Sequence, residues 1–397
     1  MQPEIDLLDG RFYAGNPLPA YAWLRRHAPV WFDEARGLWG VALHEDVQRV
    51  SKDPEAFCSS GSSRPDAPAI PSMINVDDPL HKRRRNLVNR GFTPRRVADH
   101  EPRIREICRE LIAKVAPLGR CDFVKDLAAP LPMIVIGDML GVAPEDRDRL
   151  LRWSDELIEG TSSTAPPEAT QAAARAFGEY AEYHRRVVAE RRARPGDDLI
   201  SVLVRAEIDG ERLSDDELLQ ESLLILVGGD ETTRHVISGG MQALLRHPEQ
   251  RAALAREPAR IPVAVEEMLR WVTPIQNMNR TATRDVVLRG QRIRKGDKVL
   301  LLYASANRDE AVFEAPERFD AGRDPNPHLA FGGYGTHHCL GAALARLELR
   351  VMFEELLAAL PDLELASDAP LPLRPSNFIV GIQSMPVVFR EAGTGRN

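Results

Sequence analysis

Cysteine is scarce in this 397-residue chain: Cys58, Cys108, Cys121 and Cys339 are its complement, and no two stand in a Cys-x-x-Cys spacing. That argues against a zinc centre or a redox dithiol. Long apolar runs are also lacking. None reaches roughly 18 residues, so no membrane span is expected. The nearest candidate, Leu127 to Val142, is broken by Pro130, Pro132 and Asp138. The N-terminal Met1-Gln2-Pro3-Glu4-Ile5-Asp6 is acidic and lacks the basic-then-apolar order of a signal peptide. There is no long basic tract, and the net charge of −7 gives no reason to expect a nucleic-acid partner. The 30 prolines and 27 glycines are scattered, without repeats or low-complexity tracts. The chain reads as a soluble cytoplasmic protein. Its 43% hydrophobic content is enough for a large core that can enclose a cofactor.

What is present is mostly helical pattern, with small sheets, no regular β-α alternation and no linker between two cores. A single domain over residues 1–397 is expected. Residues 20–60 mix short helices with a strand around Leu38–Val41. A helical break is expected at Ser162-Ser163-Thr164-Ala165-Pro166-Pro167. The longest helix candidate opens on a capping box, Ser214 with Glu217, and runs from Leu218 to about Leu245. Residues 262–271 form another helix. Strands are expected between Arg280 and Leu302, and again at Phe378-Ile379-Val380 and Pro386-Val387-Val388.

Cys339 ends the run Phe331-Gly332-Gly333-Tyr334-Gly335-Thr336-His337-His338-Cys339, just before the helix-like stretch Ala342 to Leu357. Glycines let the backbone bend back so that N–H groups point at the sulfur, and the helix start adds positive partial charge. A thiolate is expected there. A lone buried thiolate suits one axial bond to a haem iron. The competing reading is a small apolar core residue.

Three further groups depart from simple patterning. Gly228-Gly229-Asp230-Glu231-Thr232-Thr233 puts two glycines, two acids and two hydroxyls in the middle of the long helix. Each glycine costs about 1 kcal/mol relative to alanine, and such violations gather at functional sites. The glycines open a groove for a flat ring or a diatomic, Glu231 can pass protons, and Thr232 can bond a ligand. Alternatively, the glycines serve a close helix crossing and Thr232 bonds the carbonyl one turn back. Glu267 and Arg270 stand at i and i+3, with Arg318 as candidate third member of a buried charge group; the alternative is an exposed pair of little worth. His81 and Arg85 share a helix face, and with Arg280 and His337 they can hold two acidic groups of one ligand. Each of the four is otherwise a solvated surface charge.

Together these motifs resemble the cytochrome P-450 superfamily of haem-thiolate monooxygenases, in the right order and across essentially the whole chain. The resemblance implies a mainly α fold with small β-sheets, the haem buried between the long central helix and the cysteine loop. It implies haem b (iron protoporphyrin IX) ligated by Cys339, with His81, Arg85, Arg280 and His337 on its propionates. Glu231 and Thr232 match the acid–alcohol pair that directs protons to dioxygen, and Glu267, Arg270 and Arg318 the structural charge triad. Electrons are expected from NAD(P)H through a ferredoxin reductase and a ferredoxin. The basic set Arg83, Arg84, Arg90, Arg95 and Arg96 is a candidate ferredoxin dock, or simply a solvated face. In the family loop the phenylalanine stands seven residues before the cysteine; here Phe331 stands eight before it, as if one glycine were inserted.

Subfamily resemblance is closest to actinobacterial enzymes that oxidise the terminal methyl of the side chain of cholesterol or cholest-4-en-3-one. Leu226 to His235, Arg152-Trp153-Ser154-Asp155 and Asp209 to Glu217 carry it. Pocket walls are then expected at Met73, Ile74, Ile225, Gly228, Ile275 and Ile379, apolar as a steroid needs; ordinary core packing is the alternative for each. Other readings are a fatty acid, terpene or polyketide as substrate, or a haem protein that binds ligands without turnover. The Glu231–Thr232 pair argues against the last.

Overall fold

A computed structural model describes residues 3–160, 165–207 and 210–390. Half of the expected break at 162–167, residues 162–164, therefore lies outside the described residues, as does Asp209. No helix among the described residues is long and apolar enough to cross a membrane.

The central helix spans Asp215–Arg246, 32 residues. It begins where its sequence supplies partners for free N–H groups. Ser214 Oγ accepts from Glu217 N at 3.2 Å, and the Glu217 carboxylate accepts from Ser214 N at 2.9 Å. It ends before Pro248, which opens the next helix. The helices Pro130–Met139, Ile261–Val272 and Ala342–Ala359 pack around it and build one large apolar core that includes Leu226, Ile237, Met268 and Phe353. This explains the continuous burial along the helix's second half, from Thr233 to Met241.

The sheets lie to one side. Five strands run in the order Val30–Asp33, Leu38–Val41, Lys298–Leu302, Asn277–Ala282, Phe57–Cys58. All neighbours are antiparallel except Leu38–Val41 beside Lys298–Leu302, where Leu38 faces Lys298. The hairpin Val286–Leu288 to Gln291–Ile293 turns on Arg289 and Gly290, both at positive φ (47° and 79°), as a two-residue hairpin requires. Arg120–Asp122, Pro386–Val388 and Glu364–Leu365 form a third sheet. The strand expected at 378–380 is reduced to one bridge, Ile379 to Ile275.

The charge group on the Ile261–Val272 helix is fully buried. Arg270 Nε and Nη2 donate to the two Glu267 oxygens at 2.7 Å each, and both side chains are 0% exposed. Arg270 Nη1 also donates to Asn307 O and Pro316 O, each at 2.9 Å. The expected third member is corrected. Arg318 is exposed and offers only its carbonyl, 3.3 Å from Arg270 Nη2. Arg323 takes the place, with Nε 3.1 Å from Glu267 Oε2. The reason is local. Phe319 is buried at 0% exposure, which turns its neighbour Arg318 outward. The turn closed by Arg323 N–H to Asp320 O, 3.0 Å, then brings Arg323 back over the carboxylate.

Every lone pair of Glu267 is thus used: Asp320 N and Asn326 Nδ2 donate to it as well, at 2.9 and 3.1 Å. Removing one charged donor from a buried carboxylate costs about 1.5–3 kcal/mol. Arg323→Ala is expected to lower unfolding free energy by that amount, and Arg318→Ala by less than about 0.5 kcal/mol. Urea unfolding of the two variants measures it; equal losses would return the third place to Arg318.

Candidate active site

The cysteine loop is shaped by what lies beneath it. A Cβ on Gly335 would sit 1.8 Å from Ser51 O, and one on Gly333 2.2 Å from Ser51 Oγ. Ser51 belongs to the helix His44–Lys52, so the loop lies directly on that helix and no side chain fits between. The Cys339 N–H donates to Phe331 O at 2.9 Å and closes the loop. Gly332 (φ 97°) and Tyr334 (φ 60°) are both left-handed. These two reversals fold the extra residue into the loop. Phe331 keeps a defined place, lining the cavity with the Arg346 guanidinium 4.6 Å from its ring centre.

The sulfur opens on a large cavity between this loop and the central helix. Its empty volume is about 1450 Å³, counted with the solvent in its open mouth. The cavity gathers residues from distant parts of the chain: Met73, Ile74, His81, Arg85, Ile225, Gly228, Thr232, Ile275, Arg280, His337 and Cys339 all line it. Ile379 is buried beside it, tied to Ile275, and is not among the lining residues.

One wall is basic. Arg85 Nη2 donates to His338 O at 2.5 Å and Arg280 Nη1 to Asn279 O at 2.8 Å; among the described residues neither meets a carboxylate. The His81 and His337 rings lie 4.1 Å apart, and His81 Nε2 is buried without a partner. Burial, then the charges of Arg280 and His81, push His337 down to about 3. Uncompensated cations and an unpartnered ring nitrogen beside an apolar cavity fit a flat apolar ligand with acidic arms. Burial also raises the Cys339 thiol, against the opposing Gly341 N–H and the charges of Arg85 and Arg346. A metal cation on the sulfur would deprotonate it outright.

The model of the family described as Cytochrome P450 (here cytochrome P-450) matches residues 41–379. A relative named Steroid C26-monooxygenase from Mycobacterium tuberculosis is 54% identical over 98% of this chain and 97% of its own length. The chain belongs to the cytochrome P-450 family. Another M. tuberculosis relative, Methyl-branched lipid omega-hydroxylase, is 41% identical over 93% of this chain and 90% of its own. Among solved structures, a cytochrome P-450 from Chondromyces apiculatus superposes with a TM-score of 0.90 at 38% identity, covering 99% of this chain and all of that one. One from Bacillus megaterium in complex with testosterone gives 0.86 at 37%, covering 94% and 99%.

This P-450 is a haem b monooxygenase that uses dioxygen, and the cavity residues fit the cofactor: one sulfur, a basic wall for two propionates, and apolar faces. The central helix shows how its paired glycines divide their roles. A Cβ on Gly229 would meet Ile136 Cδ1 at 2.5 Å, so this glycine serves a close helix crossing. A Cβ on Gly228 meets nothing within 4 Å, so this one widens the cavity. Thr232 lines the cavity while its Oγ1 donates to Gly228 O at 2.9 Å. Of its two sequence readings, the bond to the carbonyl one turn back is present.

Glu231 lies elsewhere than its neighbour. It is 0% exposed and does not line the cavity. Its Oε1 accepts from Arg234 Nη2 (2.5 Å) and Arg374 Nη1 (3.1 Å), and its Oε2 lies 2.9 Å from His235 Nε2. Burial pushes its pKa up, but His235, Arg234 and Arg374 overcome this and hold it well below the usual carboxylate range. Asp230, deeper still, is raised by burial to about 7. Asp155, Asp230 and Glu231 come close enough to suggest a cation site, but Arg234 Nη2 already stands within 3.0 Å of all three.

Sequence reading missed Glu348. It lines the cavity from the helix Ala342–Ala359, is 1% exposed, and leaves Oε2 without a partner. An acid in the buried stripe Leu344–Leu347–Val351 was the available signal. Burial first, and Asp230 second, raise its pKa well above 4.5. Below that unfolded value both states are protonated; above it the unfolded chain ionises while Glu348 stays neutral. Wild type is therefore expected to lose stability relative to Glu348→Gln as pH rises from about 5 toward 8, by up to about 1.4 kcal/mol per pH unit. Urea unfolding at both pH values measures the difference; a constant offset would show that Glu348 ionises in the folded protein.

Proposed function

We propose that this P-450 hydroxylates the terminal methyl of a steroid side chain, with cholest-4-en-3-one or cholesterol as substrate. Near-full-length identity to the relative named Steroid C26-monooxygenase carries the reading. The apolar lining of Met73, Ile74, Ile225, Ile275 and Met278 is what such a ligand requires. Bound haem, with the Cys339 thiolate donating electron density to its iron, supplies the activation of dioxygen. The chain's own residues position and protonate. His81, Arg85, Arg280 and His337 hold the propionates. Thr232 keeps a hydroxyl proton at the cavity edge. Glu231, the next residue, sits off the cavity, where Arg234 and Arg374 hold it ionised beside this hydroxyl's turn of the helix.

Electrons come from NAD(P)H through a reductase and a ferredoxin in the cytoplasm. The basic set expected to dock the ferredoxin divides. Arg84 is buried against Glu217 and Glu221, and Arg83 pairs with Glu211 and Glu217. Arg90, Arg95 and Arg96 remain exposed and carry the docking role.

Cholest-4-en-3-one is expected to shift the ferric haem toward high spin and to give a terminal alcohol or acid when ferredoxin, reductase and NAD(P)H are supplied. Silence with every sterol, and turnover of a methyl-branched fatty acid instead, would favour the lipid reading that the 41% identical relative supports. Thr232→Ala is expected to keep the carbon-monoxide spectrum and divert reducing equivalents to peroxide. Unchanged coupling of NAD(P)H to product would reduce Thr232 to its bond with Gly228.

A further inference from the structure

The first half of the central helix buries a stripe at Leu218, Glu221, Ser222 and Ile225, the i, i+3, i+4, i+7 spacing of an inward face. An acid in that stripe needs a reason. Glu221 is 0% exposed and its Oε2 has no partner. Burial pushes its carboxyl up to about 7 against the opposing charge of Arg84. Such a group costs stability unless its contacts give something back.

Its contacts lead to one place. Oε1 accepts from the Met73 backbone N–H at 2.9 Å and from Arg84 Nη1 at 3.4 Å. Arg84 Nη1 also donates to Pro71 O at 2.8 Å, and Arg84 Nη2 to Glu217 at 2.9 Å. The turn Met73–Asn75 follows an exposed stretch, Pro68–Pro71, and presents Met73 and Ile74 to the cavity. Arg84 sits on the helix Leu80–Asn89, next to Arg85 and one turn from His81, which line the cavity too. One carboxylate and one guanidinium thus join the central helix, the 71–75 wall and the helix behind the basic wall.

We infer that Glu221 is a positioning residue for the substrate: through the Met73 N–H, and with Arg84 on Pro71, it fixes the Met73–Ile74 wall and thereby sets how tightly an apolar ligand is held. Neither side chain touches the ligand. The inference rests on family membership and not on the steroid reading, so its test uses ligands that any haem cavity of this family takes.

The holoenzyme and two variants are compared, Glu221→Ala and the paired change Arg84→Met with Glu221→Leu. The pair leaves no unmatched charge in the interior, so it folds even where the single change does not. Hydrogen exchange at the Met73 amide is expected to quicken about tenfold, since the bond that holds its N–H is lost. Affinity for 4-phenylimidazole, read from the haem spectrum, should weaken roughly fivefold as its apolar ring loses a fixed wall, while affinity for imidazole changes by less than about twofold. Unchanged exchange at Met73 in the folded variants would overturn the inference. So would faster exchange with 4-phenylimidazole affinity intact, which would make the contact structural only. Equal weakening for both azoles would place the damage at the haem and overturn it as well.

Discussion

The closeness of one loop to one helix governs where chemistry can occur in this protein. Gly333 and Gly335 lie against Ser51 with no room for a side chain, and the Cys339 N–H closes the loop onto Phe331 O. That places the sulfur beneath the cavity and fixes the start of the helix Ala342–Ala359. From there Leu344, Ala345 and Glu348 reach the same cavity. Holding the loop elsewhere is the work of the Glu267–Arg270–Arg323 group, whose acceptors Asn307, Pro316 and Arg318 lie on the segment leading to it.

Charge is distributed around the cavity by a consistent rule. The cavity-facing guanidiniums of Arg85 and Arg280 meet no carboxylate among the described residues. Arg234, buried off the cavity, is matched by three acids. The unmatched ones fit the acidic arms of a haem. The matched ones hold acids still: Glu231 is turned from the cavity not by distance along the chain but by Arg234 and Arg374 competing for it.

Much of this was legible because it is local. The capping box at Ser214 and Glu217, the cysteine loop and the donor pair His81–Arg85 are fixed by residues within a few positions of one another. The partners of Glu231 and the outward turn of Arg318 were not legible, because one partner is remote and in the other case a neighbour decides. Arg374 lies 143 residues from Glu231, and the burial of Phe319 sends Arg318 out and leaves the carboxylate to Arg323. Ile379 was expected to touch the ligand and instead backs Ile275. The split of Arg83 and Arg84 from the other arginines depends on where the central helix crosses, which no short window reveals.

The contact between Gly229 and Ile136 has a meaning for how such proteins diverge. The missing methyl at 229 and the branched chain at 136 share one small volume. Descendants can add a methyl at 229 only by trimming 136 further than valine, because Ile136 Cγ1 as well would lie 2.8 Å from it, while Gly228, facing open space, remains free to answer to whatever molecule its owner encounters.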